Sequence, residues 1–281
     1  MTTTTTTELR ERSTLDLAPA PLEDIPRGPI WLLKDSWTEA TRHLRALPRN
    51  PELLVFATIQ PLMFVVLFVY VFGGSVNTPI DYTQYVIPGI FTQTVLFNSA
   101  FTSVGMADDL QKGIIDRLRS LPMYPGAVLI GRTFSDIVRN VITFVVMFVA
   151  AYAVGFRIEG TLAEALAATA LMFAFSYAFS WIAAWIGLSV GSVEAANSAG
   201  FIWMFPLTFI SSAFVDPEMM VGWLQPIAEN NPFSILTDAC RALYNGYDPG
   251  NDAWIALAWA VGITIVFAFI ATRKFARSTS A

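Results

Sequence analysis

The chain has 281 residues, of which 54% are hydrophobic and 14% are charged. A typical soluble domain is about 25% charged. With a mean hydropathy of +0.53, the chain has too much apolar surface to be an ordinary soluble enzyme. The high apolar content also excludes a disordered protein, and the net charge of −5 argues against a surface that binds nucleic acid.

The N-terminal segment differs in composition from the rest of the chain. Residues 1–28 are rich in threonine, proline and charge, which predicts a disordered tail. The segment lacks the apolar core of a secretory signal peptide, so we expect the first membrane span to direct insertion.

Residues 30–47 have the pattern of a helix that lies in the membrane interface. Its apolar side chains recur at alternating spacings of three and four, at Ile30, Leu33, Trp37, Ala40, Leu44 and Leu47. The other face carries charged residues, and Trp31 and Trp37 suit an anchor at headgroup level. The helix is either a membrane anchor alone or also a contact surface for a cytoplasmic subunit.

Six long runs of the sequence contain no charged residue. A helix needs about 20 residues to cross a hydrocarbon core of about 30 Å, and all but the run 140–156 are long enough. That run reaches the required length if the Arg139 side chain extends to the interface. The predicted spans are 53–73, 84–107, 133–156, 165–190, 197–215 and 253–272. Because core helices of soluble proteins rarely stay uncharged beyond about 14 residues, we expect an all-α polytopic membrane protein.

The lysine and arginine residues predict the orientation of the chain. Of the 17, 15 fall on one set of alternating sides and 2 on the other. Positive residues accumulate in cytoplasmic loops, so both termini, including the short tail 276–281, are expected in the cytoplasm. The predicted location is the plasma membrane, which the chain crosses several times.

A short amphipathic helix is predicted at 109–120, between the second and third spans. Its apolar side is formed by Leu110, Ile114, Ile115 and Leu118, and charged residues occupy the other side. Such a helix can be gripped by another protein and transmit motion. It can equally be an amphipathic loop that rests on the membrane.

Residues 216–245, between the fifth and sixth spans, contain two apolar stripes separated by Glu229-Asn230-Asn231-Pro232. Each stripe is about 10 residues long, which is too short to cross the membrane. Two short helices joined by a polar turn predict an external re-entrant hairpin, in which Asn230 and Asn231 satisfy the non-helical backbone.

Uncharged polar and aromatic side chains lie within two predicted spans. The second span has Gln93 and Asn98, and the fifth, which Pro206 is expected to kink, has Ser211 together with Phe201, Phe205 and Phe209. The polar groups either form hydrogen bonds between helices, as Ser, Thr and Asn commonly do, or line a path for an amphipathic or aromatic substrate.

No motif for catalysis or for a bound cofactor occurs in the sequence. It has no G-x-x-x-x-G-K-[ST], no H-E-x-x-H and no G-x-S-x-G, and its only histidine is His43. Cys240 is the only cysteine, so neither an intramolecular disulfide nor a cysteine metal cluster forms. No acidic residue lies at a predicted helix centre, which disfavours an ion-coupled carrier. We expect the chain to have no catalytic residue and to bind no metal or cofactor.

Two stretches resemble a known family. Residues 111–132, QKGIIDRLRSLPMYPGAVLIGR, are similar to the x-K-G-x-x-[DE]-R-L-x-S-x-P segment of type-2 ABC exporter permeases. Residues 205–243 are similar to that family's F-P-x-x-F-x-S region and its N-P and Arg positions around the external hairpin. Both resemble the daunorubicin/doxorubicin-resistance branch of bacterial drug exporters, and the resemblance implies one permease transmembrane domain over 29–275.

The resemblance implies that the energy comes from a separate protein. Two copies of a cytoplasmic ABC ATPase, which hold ATP and Mg²⁺, would dock on two permease copies that form a homodimer. The residues implied in this coupling are Asp109, Lys112, Gly113, Asp116, Arg117 and Arg119. The residues implied in the cargo path are Gln93, Asn98, Phe201, Phe205, Phe209 and Ser211, and those of an external lid are Asn231, Pro232 and Arg241.

The leading hypothesis is therefore a permease subunit of an ATP-driven exporter for hydrophobic drugs or lipophilic metabolites. Its partners would be the ATPase, a second permease copy, the lipid membrane and a hydrophobic small molecule, but no nucleic acid. A permease for polysaccharide or glycolipid export and a membrane assembly factor that transports nothing are the alternatives.

Overall fold

The computed structural model describes residues 29–46, 51–76, 78–119 and 125–277, and regular structure in these ranges is entirely helical. The predicted tail 1–28 lies outside them, whereas Ala276 and Arg277 continue the last helix. A π-helical turn, Leu67–Phe72, extends the second helix, and a 3₁₀ turn occupies Pro217–Met219. The α-helices are α1 (Pro29–Ala46), α2 (Pro51–Val66), α3 (Tyr82–Gln111), α4 (Ile114–Arg119), α5 (Pro125–Ala153), α6 (Leu162–Gly187), α7 (Val193–Ile202), α8 (Met204–Phe209), α9 (Gln225–Glu229), α10 (Pro232–Tyr244) and α11 (Asp252–Arg277).

Three of the described helices are long and apolar enough to cross a membrane. They are α5, α6 and α11, over Gly126–Ala153, Leu162–Gly187 and Asp252–Ala276. These helices coincide with predicted spans, although α5 begins about two turns earlier than the predicted residue 133. α2 with its π turn and α3 overlap two further predicted spans, but the count of six stays a prediction.

α3 is the central helix of the bundle, and almost every residue from Tyr85 to Ala100 is buried. It packs against α5, α6, α7 and α10. Phe91 lies at the centre of the main hydrophobic cluster, where its ring contacts those of Phe144, Phe156 and Tyr244 at centroid distances of 5.1, 5.8 and 6.1 Å. Edge-to-face aromatic packing of this kind fixes the relative positions of the helices.

α1 packs along α5 with its polar face inward and much of its apolar stripe outward. A Cβ atom at Gly131 of α5 would lie 2.5 Å from the Ser36 carbonyl oxygen, so only glycine permits this close approach. Ile30, Leu33 and Trp37 are all more than half exposed. The predicted helix 30–47 is thus present, with Leu47 outside the described residues, and its position in the membrane interface stays a prediction.

The predicted span 197–215 is not one continuous helix. α7 ends at Ile202, α8 begins at Met204, and the chain leaves the helical conformation at Ile210, where φ is −94° and ψ is 63°. The break follows from Pro206, which has no N–H to donate to the carbonyl of Ile202 and whose ring crowds that carbonyl. The kink expected at Pro206 is therefore a break between two helices.

The predicted helix 109–120 is divided in two. Asp109 belongs to the last turn of α3, and α4 begins only at Ile114. The turn between them requires Gly113, whose φ of +67° is unfavourable for any residue with a Cβ atom. Ser120 lies outside the described residues.

The segment predicted as an external hairpin, 216–245, contains two helices joined at Asn230 and Asn231, as expected. Its first half is less helical than predicted, because α9 has only 5 residues. The second stripe is buried in the bundle, with Phe233, Leu236 and Cys240 in the main hydrophobic cluster.

Candidate functional site

A small cavity lies where α2, α3 and α7 meet, at about the middle of the predicted second span. It has a volume of about 20 Å³, enough for a water molecule. The lining combines amide side chains with aromatic rings. The residues are Gln60, Pro61, Phe64, Gln93, Thr94, Phe97, Asn98, Phe101 and Phe201.

Two of the lining amides are buried without a hydrogen-bond partner. Gln93 is 2% exposed, and neither its Oε1 nor its Nε2 has a partner in the described part of the chain. Asn98 is 3% exposed, and its Nδ2 is likewise unpaired there. Most buried polar groups in proteins are hydrogen-bonded, so unpaired groups that face a cavity require an explanation.

The neighbouring polar side chains on α3 differ in this respect. The Thr94 hydroxyl donates to the carbonyl of Ile90 at 2.6 Å, and Ser103 donates to Ala196 of α7 at 3.0 Å. The hydroxyls of Thr92 and Thr237 pair at 3.1 Å. The interhelical hydrogen-bonding alternative therefore holds for Ser103 and Thr92, whereas Thr94 bonds within α3 and Gln93 and Asn98 keep unpaired atoms.

A ladder of phenylalanine rings borders the cavity. Phe201 and Phe205 contact Phe97 at 5.7 and 5.2 Å, and Phe205 stacks on Phe209 at 5.9 Å. The ladder continues from Phe209 to Phe214 at 5.4 Å. The three predicted path residues Phe201, Phe205 and Phe209 are thus brought together by their helical spacing across α7 and α8.

Ser211 is placed away from this wall. It is 1% exposed, and its hydroxyl donates to the Thr208 carbonyl at 2.5 Å, at the end of α8. It is not among the residues that line the cavity.

A larger groove runs along α2 beside the cavity. Its volume is about 750 Å³, within the usual range for a site that binds a drug-sized molecule. The lining is mostly apolar, with Ile59, Met63 and Leu67 among its residues. Gln60, Phe64 and Phe101 line both spaces, so the groove and the cavity are contiguous.

The predicted coupling residues occupy a surface at the end of α3 and on α4. Lys112 is exposed and lies 2.7 Å from Asp108, whose carboxylate raises the pKa of the lysine. Asp116 and Arg117 are exposed on α4, whereas the side chain of Arg119 lies outside the described part of the structure.

The opposite side of α4 is anchored in the bundle. Ile115 is fully buried in a second hydrophobic cluster with Met106, Leu129, Trp181 and Phe275. A force applied to the exposed face of α4 would therefore reach α3, α5, α6 and α11 through packed side chains.

Asp109 points into the protein, unlike the other predicted coupling residues. Its Oδ2 accepts a hydrogen bond from Arg132 of α5 at 2.7 Å and lies 3.9 Å from Arg42 of α1. Arg42 also pairs with Glu39 at 2.8 Å. These four charged side chains, here called the α1–α3–α5 ion cluster, join the interfacial helix to the segment that precedes α4.

His43 lies at the edge of this cluster, 3.2 Å from Arg42 and 4.0 Å from Glu39. Burial, together with Arg132, Arg42 and Arg139, lowers its pKa from 6.5 to about 3. The imidazole is therefore neutral at physiological pH.

Asp136 and Arg139, near the start of the predicted third span, form an ion pair with atoms 2.9 Å apart. It also connects to α3, because Thr102 donates to Asp136 and Arg139 donates to the carbonyl of Asn98 at 2.8 Å. The pair is therefore linked to the backbone of Asn98.

The predicted lid residues hold the hairpin against the bundle. Asn231 caps α10 by accepting from the N–H of Phe233 at 2.9 Å, and it donates to the carbonyls of Leu207 and Ile210 at 2.7 and 2.6 Å. Those carbonyls are left open where α8 ends, so one side chain serves both helix termini. Pro232 follows at the first helical position of α10.

Arg241 is 8% exposed and makes several contacts in the same region. It pairs with Asp238 at 2.5 Å and donates to the carbonyls of Tyr85 and Ser212 at 2.9 and 2.6 Å. Its guanidinium also lies 3.6 Å from the centre of the Tyr85 ring.

The sequence interpretation missed Glu39, Arg42 and Arg132 as parts of a common cluster. The polar face of the predicted interfacial helix contained two of them, but it suggested contact with water and headgroups rather than with α5. One sequence feature could have indicated the cluster. Gly131, one residue before Arg132, has no Cβ atom and therefore permits another helix to pack closely against α5.

Comparison with known proteins identifies the class. Residues 36–245 match the family model described as ABC-2 type transporter. The daunorubicin resistance ABC transporter permease protein DrrB1 of Streptomyces coeruleorubidus is 31% identical over 239 residues, which cover 85% of this chain and 84% of that protein. The probable doxorubicin resistance ABC transporter permease protein DrrC of Mycobacterium tuberculosis is 23% identical over 270 residues, 95% of each chain.

A putative transport permease, ycf38, of Cyanophora paradoxa is 25% identical over 204 residues, 71% of this chain and 70% of that protein. The helical bundle and these similarities define a membrane permease. The chain belongs to the ABC-2 type transporter family, whose members work with an ABC ATPase.

Proposed function

We propose that this permease exports hydrophobic drugs or lipophilic metabolites from the cell, using ATP that a separate ABC ATPase hydrolyses. The names of two similar proteins refer to daunorubicin and doxorubicin resistance, which supports this cargo class. The permease itself contributes the path through the membrane and no catalytic group.

The observation that carries the proposal is the apolar groove along α2, which shares Gln60, Phe64 and Phe101 with the amide-lined cavity. A volume of about 750 Å³ suits a drug-sized molecule, and the lining suits a lipophilic one. A polysaccharide path would require many more hydrogen-bonding groups along its length. The groove therefore favours lipophilic cargo over the carbohydrate alternative.

The topology that fits this function has six spans, formed by α2, α3, α5, α6, the broken pair α7–α8, and α11. The excess of 15 positive residues over 2 supports a cytoplasmic location for both termini and for α4. The segment from Pro217 to Tyr244 is then external. Its contacts with the end of α8 support a lid that enters the outer leaflet.

Coupling to the ATPase is assigned to the exposed face of α4 and the preceding turn, with Lys112, Asp116 and Arg117 as contact residues. Buried Ile115 connects this face to the bundle. Two permease copies, forming a homodimer, would bind two ATPase copies that hold ATP and Mg²⁺. Asp109 contributes indirectly, because its carboxylate holds α1 and α5 against the end of α3.

The test is cargo-stimulated ATP hydrolysis by the permease reconstituted in liposomes with its ATPase. We expect daunorubicin to stimulate hydrolysis, and Lys112→Glu to reduce the stimulation because it reverses a charge on the docking face. Glu218→Lys, an exposed charge reversal in the segment assigned to the other side of the membrane, serves as the control. A lack of stimulation by every lipophilic compound tested would favour the assembly-factor alternative.

A further inference from the structure

We propose that the carboxamides of Gln93 and Asn98 bind an uncharged hydrogen-bonding group of the cargo, so that this permease selects amphipathic molecules over purely apolar ones. The inference rests on the proposed export function and specifies the chemistry of its cargo. It assigns a recognition role to the two polar side chains that the fold leaves unpaired.

The first argument is that the protein gains nothing structurally from these amides. Three polar atoms, Oε1 and Nε2 of Gln93 and Nδ2 of Asn98, are buried without a partner in the described residues. A buried polar atom that lacks a partner is destabilising, whereas an apolar side chain of the same shape would avoid that penalty. The hydroxyl of the nearby Thr94, in contrast, donates a hydrogen bond to the Ile90 carbonyl of its own helix.

The second argument concerns charge. None of the side chains that line the cavity is ionisable. The nearest ionised groups, Asp136 and Arg139, neutralise each other at 2.9 Å, and Arg139 already donates to the Asn98 carbonyl. A charged group in the cavity would lose its hydration without finding a counter-ion, so the recognised group is neutral.

The third argument is the pattern of donors and acceptors. The Gln93 carboxamide offers one acceptor and one donor, and Asn98 adds a further donor. Exchanging O and N of Gln93 leaves this pattern unchanged, since neither atom is paired. A complementary ligand therefore carries an acceptor and a donor close together, as in a primary amide, a hydroxyketone or a phenol.

The fourth argument identifies where the rest of the ligand lies. Phe64 and Phe101 line both the cavity and the groove, so a molecule with its polar group at Gln93 can place its apolar body along α2. A lipid acyl chain could fill the groove but has no group to pair with the amides. Without cargo, a water molecule fits the cavity.

The experiment measures binding of two fluorescent probes with the same ring system to the full chain in lipid nanodiscs. The probes are anthracene-9-carboxamide and 9-methylanthracene, and binding is followed by energy transfer from the tryptophans, with partition into empty nanodiscs subtracted. We expect the wild-type chain to bind the carboxamide about tenfold more tightly, as one or two net hydrogen bonds predict.

Two variants remove the amides while keeping the side-chain size, Gln93→Met and Asn98→Leu. Both are expected to bind the two probes with nearly equal affinity and to retain the thermal stability of the wild type, since each removes an unpaired buried group. Thr94→Val is the matched control in the same cavity, and it should preserve the tenfold preference.

Three results would overturn the inference. If the wild type binds both probes equally, or if the variants keep the preference for the carboxamide, water is the hydrogen-bond partner of the amides. The export proposal still stands in that case. If Gln93→Met abolishes self-association of the permease, the amide pairs with a second copy instead. If neither probe binds the wild-type chain, both the inference and the proposed lipophilic cargo are contradicted.

Discussion

Replacing Asp109 with asparagine should weaken the fold far more than the same change at its neighbour Asp108. The Asp109 carboxylate lies 2.7 Å from the Arg132 guanidinium, and each side chain is only 13% exposed. Asp108 instead pairs with Lys112 on the surface, where the two side chains are 39% and 62% exposed. The two aspartates are adjacent in sequence, so the comparison isolates the effect of their surroundings.

The expected size follows from the exposure of each pair. Removing one member of a fully buried ion pair costs about 3–5 kcal/mol, because the remaining charge is left without compensation. Arg132 retains some contact with solvent, and asparagine keeps a hydrogen-bond acceptor, so we expect about 2 kcal/mol for Asp109→Asn. An exposed pair contributes about 0.2–1 kcal/mol, so Asp108→Asn should cost at most about 1 kcal/mol.

The assay is equilibrium unfolding of the purified permease in mixed micelles, followed by its helical circular dichroism. A double-mutant cycle with Arg132→Met should give a coupling energy above about 1 kcal/mol for the Asp109–Arg132 pair. The reasoning would be refuted if Asp109→Asn destabilised the fold no more than Asp108→Asn, or if the cycle gave no coupling.

Three further predictions concern other parts of the chain. Asn231→Ala should destabilise the fold by about 2 kcal/mol, because it leaves two partly buried carbonyls and the α10 N-terminus without partners. Asn230→Ala, at an exposed position, should cost about 0.5 kcal/mol in the same unfolding assay. Because the pKa of His43 is lowered to about 3 in the fold, stability should fall as the pH drops below 6.5, and His43→Gln should flatten that pH dependence. Lys112→Glu should lower the affinity for the ATPase, measured by co-purification, with only a small loss of unfolding free energy because its pair with Asp108 is exposed.

The helices that were correctly located from the sequence are those with one dominant signal. The charge-free runs at 165–190 and 253–272 coincide with α6 and α11, because hydrophobic composition alone determines whether such a helix can lie in a membrane. The amphipathic pattern of 30–47 likewise identified α1, since its apolar stripe and charged face occur at helical spacing.

The departures arise from local backbone chemistry that a composition window averages out. The kink expected at Pro206 is a full break in the fifth span, and Gly113 divides the predicted coupling helix. Both residues were visible in the sequence, but neither changes the number of charges in its neighbourhood. A proline or glycine within an otherwise uniform run therefore has to be weighed separately from hydropathy.

The site could be predicted only as a set of candidate residues. Gln93 and Thr94 are adjacent polar residues in the same apolar helix. Only the structure reveals that the Thr94 hydroxyl donates to a backbone carbonyl of that helix, whereas the Gln93 amide is unpaired in the described residues. Asp108 and Asp109 present the same difficulty at the end of α3. Because a helix turns by 100° per residue, one of two adjacent identical side chains can face the protein interior while the other faces the solvent.

The most direct test of the central claim is ATP-dependent accumulation of daunorubicin in inside-out vesicles that contain the permease and its ABC ATPase. The account predicts that daunorubicin accumulates against its concentration gradient and that this accumulation requires ATP. Accumulation should cease when Lys112→Glu uncouples the ATPase and should fall when Gln93→Met removes the polar contact. Equal daunorubicin levels with and without ATP, in vesicles where the ATPase is active and bound to the permease, would contradict it.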